Sequence, residues 1–106
     1  MQRYIEAMIG LDELPEEIRT AIHDLLWQEA GDYGLHRITA RVGEDHDGDP
    51  VIWIDADYKA KGKPIDPKVF ASLGLKLRDK LWGMGESRFP HIRNRFSEKQ
   101  KILGYT

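Results

Sequence analysis

The sequence predicts an α+β two-layer sandwich, in which two helices cover one face of a small β-sheet. Residues 35–58 alternate apolar and polar side chains in the manner of a β-hairpin, and residues 12–30 and 67–82 carry apolar side chains at helical spacing. A third strand is predicted over residues 88–96. The element order is therefore α-β-β-α-β, within a single domain spanning residues 1–106.

The hairpin is the least ambiguous element. Its arms, LHRITARV and VIWIDADY, both alternate with period two, and they flank the turn-forming segment GEDHDGDP. One face is apolar and comprises His36, Ile38, Ala40, Val42, Ile52, Ile54, Ala56 and Tyr58. Because a slip of one residue would turn one arm's apolar set towards water, the predicted register pairs Val42 with Ile52, Ala40 with Ile54, and Ile38 with Ala56.

The opposite face of the hairpin is polar and carries a tryptophan. The same register sets Arg41 opposite Trp53, Thr39 opposite Asp55, and Arg37 opposite Asp57. Thr39 and Arg37, on the first arm, are therefore the expected partners of the two carboxylates. Tryptophan and arginine are enriched where proteins meet their partners. This face is therefore a candidate partner-binding surface, with the residues Arg37, Arg41, Trp53, Asp55 and Asp57.

The two helices have predictable starts. Asp12 and Asp66 are the expected N-caps, and Pro67 follows Asp66 at a position where proline suits the first turn. Gly74 falls in the middle of the second helix, where glycine costs about 1 kcal/mol relative to alanine. We therefore expect another element to pack closely against it.

The last strand is expected to run parallel to the second arm of the hairpin, because a connection through a helix forms a right-handed crossover. Pro90 has no backbone N–H, so this strand is predicted to lie at a sheet edge. Residues 98–103 are a candidate terminal helix. Residues 2–9 fit either a helix or a strand, and a strand there would give the alternative order βαββαβ of a ferredoxin-like fold.

Composition excludes several classes of protein. The chain has no cysteine, so disulfides, zinc–thiolate sites and thiol catalysis are excluded, and the bacterial cytoplasm is the expected location. No apolar run approaches the roughly 20 residues of a membrane span, so no membrane association is expected. No cofactor is predicted.

Charge is distributed unevenly along the chain. Residues 1–57 contain 4 Lys+Arg and 14 Asp+Glu, whereas residues 58–106 contain 12 and 4. Such asymmetry marks either a polyanion-binding surface or complementary segments that cancel in the fold. The basic half supplies an alternative prediction, a nucleic-acid interface formed by Lys59, Lys61, Lys63, Arg88, Arg93 and Arg95.

The acidic segment 44–49 offers oxygen ligands at alternate positions, as calcium-binding loops do. An EF-hand loop starting at Asp45 would need glycine where Pro50 stands and glutamate where Ala56 stands. Aspartate and glycine also build hairpin turns without a metal. The turn is the preferred interpretation, so no metal site is predicted, and a metal-dependent enzyme here is a distant third alternative.

The segment Asp47-Gly48-Asp49-Pro50 before a strand, together with GESRFPHI at residues 85–92, resembles a family of small bacterial proteins without an assigned activity. The resemblance implies a compact bacterial α+β domain and supplies no catalytic residues. We therefore expect a non-enzymatic interaction protein that binds a protein partner, or itself, through the polar face of the sheet.

Overall fold

A computed structural model describes residues 14–59 and 63–97. These residues form helix α1 (Glu16–Ala30), a 3₁₀ turn (Gly31–Tyr33), strands β1 (Leu35–Glu44) and β2 (Pro50–Tyr58), helix α2 (Pro67–Gly83) and strand β3 (Phe89–Phe96). The predicted order α-β-β-α-β is confirmed. Residues 2–9 and the candidate helix at residues 98–103 lie outside the described residues. The ferredoxin-like alternative is wrong, because its split βαβ topology places the first strand between β2 and β3, which pair directly with each other.

The three strands form a mixed sheet with β2 in the centre. Strand β1 is antiparallel to β2, and β3 is parallel to it. The predicted hairpin register is confirmed, with Val42 opposite Ile52 and Ala40 opposite Ile54. The parallel direction of β3 and its edge position, which Pro90 indicated, are also confirmed.

A β-bulge at the start of β1 changes the predicted alternation at one residue. The register shifts between Leu35 and Arg37, so that His36 is the extra residue. Leu35 is buried opposite Tyr58, whereas His36 is exposed. The prediction that His36 belongs to the apolar face is wrong, because a bulge resets the two-residue period of the strand.

The hydrophobic core lies between the helices and one face of the sheet, which we call the inner face. The inner-facing residues of the central strand are fully buried, namely Ile52, Ile54, Ala56 and Tyr58. The predicted helix stripes pack on them through Ile18, Ile22, Leu26, Leu73, Leu77 and Leu81. The inner-facing residues of β1 are only half-buried, so the core is densest over β2 and thins towards the β1 edge.

The start of α2 follows the predicted capping pattern. The Asp66 carboxylate accepts a hydrogen bond from the backbone N–H of Lys68 at 3.0 Å, and Pro67 occupies the first helical position. Helix α1 begins at Glu16 with Pro15 as its N-cap, so the prediction that Asp12 caps this helix is wrong. Glu16 and Glu17 lie in its first turn. Carboxylates there favour the helix because they face the positive end of its dipole.

Close packing at Gly74 is not found. A Cβ atom built on this residue would meet no described atom within 4 Å. The expectation was wrong because the helix face that carries Gly74 does not press against the sheet.

We therefore expect Gly74→Ala to raise the free energy of unfolding by about 0.5–1 kcal/mol, since alanine restricts the unfolded chain and favours the helix. Urea denaturation followed by circular dichroism measures the change. A loss of stability would contradict the open environment of this residue.

Leu77 and Leu75 provide a matched test of which face of α2 is buried. Leu77 is fully buried and Leu75 is 54% exposed. We expect Leu77→Ala to lower the free energy of unfolding by about 2–5 kcal/mol, because it leaves a cavity in the core. The Leu75→Ala control should change it by no more than about 0.5 kcal/mol, and equal losses would refute the assignment of faces.

Candidate functional site

The sheet face opposite the helices carries most of the candidate residues, and we call it the outer face. It comprises alternate residues of the three strands, namely Arg37, Thr39, Arg41, Gly43, Val51, Trp53, Asp55, Asp57, Phe89, His91, Arg93 and Arg95. Within the described residues both helices pack on the inner face. The predicted partner-binding set and two arginines of the nucleic-acid set therefore share one surface.

Two ion pairs between β2 and β3 organise one half of the outer face. Arg93 donates from Nε and Nη2 to the two carboxylate oxygens of Asp55, at 2.7 and 3.1 Å. Arg95 binds Asp57 in the same way, at 2.8 and 3.3 Å. The parallel register sets each arginine directly opposite its carboxylate, and the planar guanidinium matches two oxygens at once.

These pairs correct the partners expected from the hairpin alone. Arg37 and Thr39 lie opposite Asp57 and Asp55 in the register, as predicted, but the carboxylates accept their hydrogen bonds from β3 instead. The hydrogen bond from Arg95 holds the pKa of Asp57 below its usual value, although partial desolvation acts in the opposite direction. A general base working near neutral pH needs a raised pKa, and the pairing with Arg95 acts against that for Asp57.

Three aromatic rings form a cluster at the other half of the outer face. Trp53 stacks on His91 with ring centroids 5.0 Å apart and an interplanar angle of 28°, and Phe89 meets His91 edge-on at 4.9 Å. Trp53 and His91 are partly exposed and Phe89 is exposed. We call Trp53, His91 and Phe89 the aromatic cluster.

The indole of Trp53 lies over Gly43, where the absence of a side chain leaves room for it. A Cβ atom on Gly43 would lie 2.6 Å from the Trp53 ring and 3.2 Å from Nη1 of Arg41. The two side chains predicted to meet, Arg41 and Trp53, thus share the space above this glycine. A glycine is needed here because any larger residue would push the indole off β1.

Arg37 and Arg41 differ from the other two arginines of the outer face in their ion pairing. Among the described residues, neither Arg37 nor Arg41 has a carboxylate partner, in contrast to Arg93 and Arg95. Both lie on β1, beside the ion-paired half and the aromatic cluster respectively. Their guanidinium groups can bind a ligand through Nε and Nη2 together without giving up an ion pair, whereas those atoms of Arg93 and Arg95 already bind carboxylates.

Most of the described basic residues that were predicted to bind nucleic acid contact carboxylates instead. Arg93, Arg95 and Arg88 each donate to a carboxylate, in the last case that of Glu86. Lys63 lies 3.7 Å from the Asp32 carboxylate and over the ring of Tyr33. Lys59 is exposed next to β2, and Lys61 lies outside the described residues.

Hydrogen bonds within the acidic hairpin segment account for its conformation. The Asp45 carboxylate accepts from the backbone N–H groups of Asp47 and Asp49, at 2.9 and 3.0 Å. The hydrogen bond from the backbone N–H of Asp49 is the main reason that the pKa of Asp45 lies below its usual value. Gly48 has φ +84°, which glycine adopts without strain. Carboxylate oxygens of Asp45, Asp47 and Asp49 lie within 4.8 Å of one another, but the turn interpretation explains the residues without a cation.

Glu86 anchors the turn between α2 and β3. Its side chain is 9% exposed and accepts hydrogen bonds from Nε, Nη2 and the backbone N–H of Arg88, at 2.8, 2.8 and 3.0 Å. The Arg88 side-chain bond holds the pKa of Glu86 below its usual value, against the effect of burial. Arg88 is thereby committed to positioning the start of β3.

Neither helix in the described part of the chain is long and apolar enough to cross a membrane. A scan against protein-family models and searches of curated proteins and of solved structures found no match. Family membership therefore supplies no function, and the resemblance to small bacterial proteins stays a prediction.

The Glu86–Arg88 pair predicts a pH-dependent stability. A carboxyl whose pKa is lowered by folding stabilises the fold above its unfolded pKa, and that contribution is lost as pH falls through the folded value. We expect Glu86→Gln to lower the free energy of unfolding at pH 7 by about 1–3 kcal/mol. The difference from the wild type should shrink between about pH 5 and pH 3, as measured by urea denaturation at each pH.

Asp79→Asn is the control for this experiment, because Asp79 is an exposed residue that pairs with Arg78 on the helix surface. It should change stability little at any pH. A Glu86→Gln deficit of the same size at pH 3 and pH 7 would contradict the ionic origin of the effect.

Proposed function

We propose that this is a non-enzymatic interaction protein that binds a protein partner through its outer face. The observation that carries the proposal is the aromatic cluster, which stands partly exposed on a sheet face that neither described helix covers. Tryptophan is the residue type most enriched among those that dominate binding energy. Trp53 is already held by His91 and by the glycine beneath it, so little side-chain entropy remains to be lost on binding.

The charge of the outer face indicates what the partner presents. The Arg93–Asp55 and Arg95–Asp57 pairs are internally neutral, so the uncompensated charge belongs to Arg37 and Arg41 on β1. A complementary partner places an apolar side chain on the aromatic cluster and carboxylates beside these two arginines.

Nucleic acid is the weaker alternative. A phosphate that bound Arg93 or Arg95 in bidentate geometry through Nε and Nη2 would have to displace the carboxylate that already binds there. The net charge of the chain, −2, adds no general attraction for a polyanion. The cytoplasm is the proposed location, because a chain without cysteine suits a reducing compartment.

Trp53→Ala is the decisive variant, with Trp82→Ala as its control. Trp82 is 56% exposed on α2, where Arg78 lies over its ring, and it belongs to the helical layer and not to the outer face. The wild-type protein and both variants serve as bait for capture of partners from a cell extract, with and without nuclease treatment. We expect Trp53→Ala to weaken capture of the wild-type partner by roughly tenfold or more, as for a hot-spot residue, while Trp82→Ala retains it.

Two outcomes contradict the proposal. Equal losses from both variants would show that the outer face is not the binding surface. Capture that disappears with nuclease would favour the nucleic-acid alternative, and its salt dependence would then be measured. Circular dichroism and a thermal melt establish that Trp53→Ala is folded.

A further inference from the structure

Strand β1 is an edge strand of the described sheet, and its protection is limited to the bulge at His36 and to the charges of Arg37 and Arg41. Within the described residues it pairs on one side only, with β2. The opposite edge strand, β3, contains Pro90, whereas the stretch from Arg37 to Gly43 contains neither proline nor lysine. Natural sheets guard their edges with such residues because an open strand edge pairs with another chain.

The inner side of this edge is apolar and incompletely covered. Ile38, Ala40 and Val42 are half-buried, whereas the residues opposite them on β2 are fully buried. A groove of about 570 Å³ separates β1 from α1, and the described residues that line it include Ile22, Ile38 and Ala40. Apolar surface therefore remains at the edge for a neighbour to cover.

Helix α1 carries an exposed tryptophan, Trp27, one turn from a residue that lines the groove. The ion pair between Glu29 and Lys76, at 2.7 Å, turns the Glu29 side of α1 towards α2. Trp27 lies roughly 160° around the helix from Glu29, which is the side away from α2. Trp27 is 40% exposed, and its neighbour His23 lines the groove, with the two rings 6.0 Å apart.

We propose that β1 pairs antiparallel with β1 of a second copy, about a two-fold axis at Ala40. An axis perpendicular to the sheet keeps both inner faces on the same side, so the sheet and its helical layer continue across the two copies. Helices α1 of the two copies then lie side by side above the seam and cover Trp27. The proposal stands independently of the protein-binding role of the outer face.

Charge selects this register over its neighbours. An axis at Thr39 would set Arg37 opposite Arg41, and an axis at Arg41 would set that residue opposite itself. Like charges directly opposite one another destabilise a strand pair. An axis at Ala40 sets Arg37 opposite Gly43 and Arg41 opposite Thr39, so no two arginines face each other.

Strand length and hydrophobicity select the same axis. The regular part of β1 runs from Arg37, just after the bulge, to Gly43, and Ala40 is its midpoint. On the inner face, Ile38 of one copy then lies opposite Val42 of the other. The apolar contact between the two copies thereby extends the hydrophobic core beyond β1, where it is thin in a single copy.

Engineered cysteines test the register, because the chain has none of its own. Ala40→Cys places two thiols on the axis, with Cα atoms about 4.5–5.5 Å apart, which suits a disulfide. The controls Ile38→Cys and Val42→Cys share the inner face, but each residue lies roughly 13 Å along the strands from its own copy. We expect mild oxidation to give a disulfide dimer for Ala40→Cys at least about tenfold faster than for either control, on non-reducing gels.

A second measurement uses the wild-type protein. Sedimentation should show a dimer that dissociates on dilution, and hydrogen exchange at β1 amides should slow as concentration rises. Equal oxidation rates for the three variants, or a wild-type monomer at every concentration, would overturn the proposal. Partner capture that persists in such a monomer would leave the proposed function standing, so the two failures are distinguishable.

Discussion

The parallel alignment of β3 against β2 is the constraint on which the outer face depends. That one register sets Arg93 against Asp55, Arg95 against Asp57, and His91 against Trp53. Because side chains alternate between faces, a shift of a single residue in β3 would send its two arginines and His91 to the inner face and leave both aspartates without partners. The ion-paired half and the aromatic half are therefore two results of the same strand alignment.

A second constraint is that two helices cover three strands. They bury the central strand completely and reach β1 only in part, as the half-buried Ile38 and Val42 show. Among the described residues, this leaves two regions that neither helix covers, the outer face and the β1 edge. The first is polar with an aromatic cluster and suits a partner of different sequence. The second offers open backbone groups and apolar side chains, which suit a second copy.

The sequence contains enough information for the elements and the hairpin register, because the apolar alternation of two adjacent arms has one consistent pairing. No local pattern in the sequence indicates the register of β3 against β2. About thirty residues of loop and helix separate the two strands, and no tight turn fixes their offset. The partners of Asp55 and Asp57, and the stacking of His91 on Trp53, were missed for this reason. The extra residue at His36 was missed because a bulge leaves the surrounding pattern intact.

The ion pairs do more than cancel charge, because their two members are not equally accessible. The Asp55 and Asp57 side chains are 17% and 19% exposed, whereas those of Arg93 and Arg95 are 54% and 58% exposed. The surface that an approaching molecule meets is therefore made of guanidinium groups lying over their carboxylates. Each arginine uses Nε and Nη2 for its aspartate, which leaves Nη1 with N–H groups to donate outward. A protein partner can accept these bonds with backbone carbonyls or carboxylates while the ion pairs stay intact, whereas full phosphate neutralisation would require breaking them.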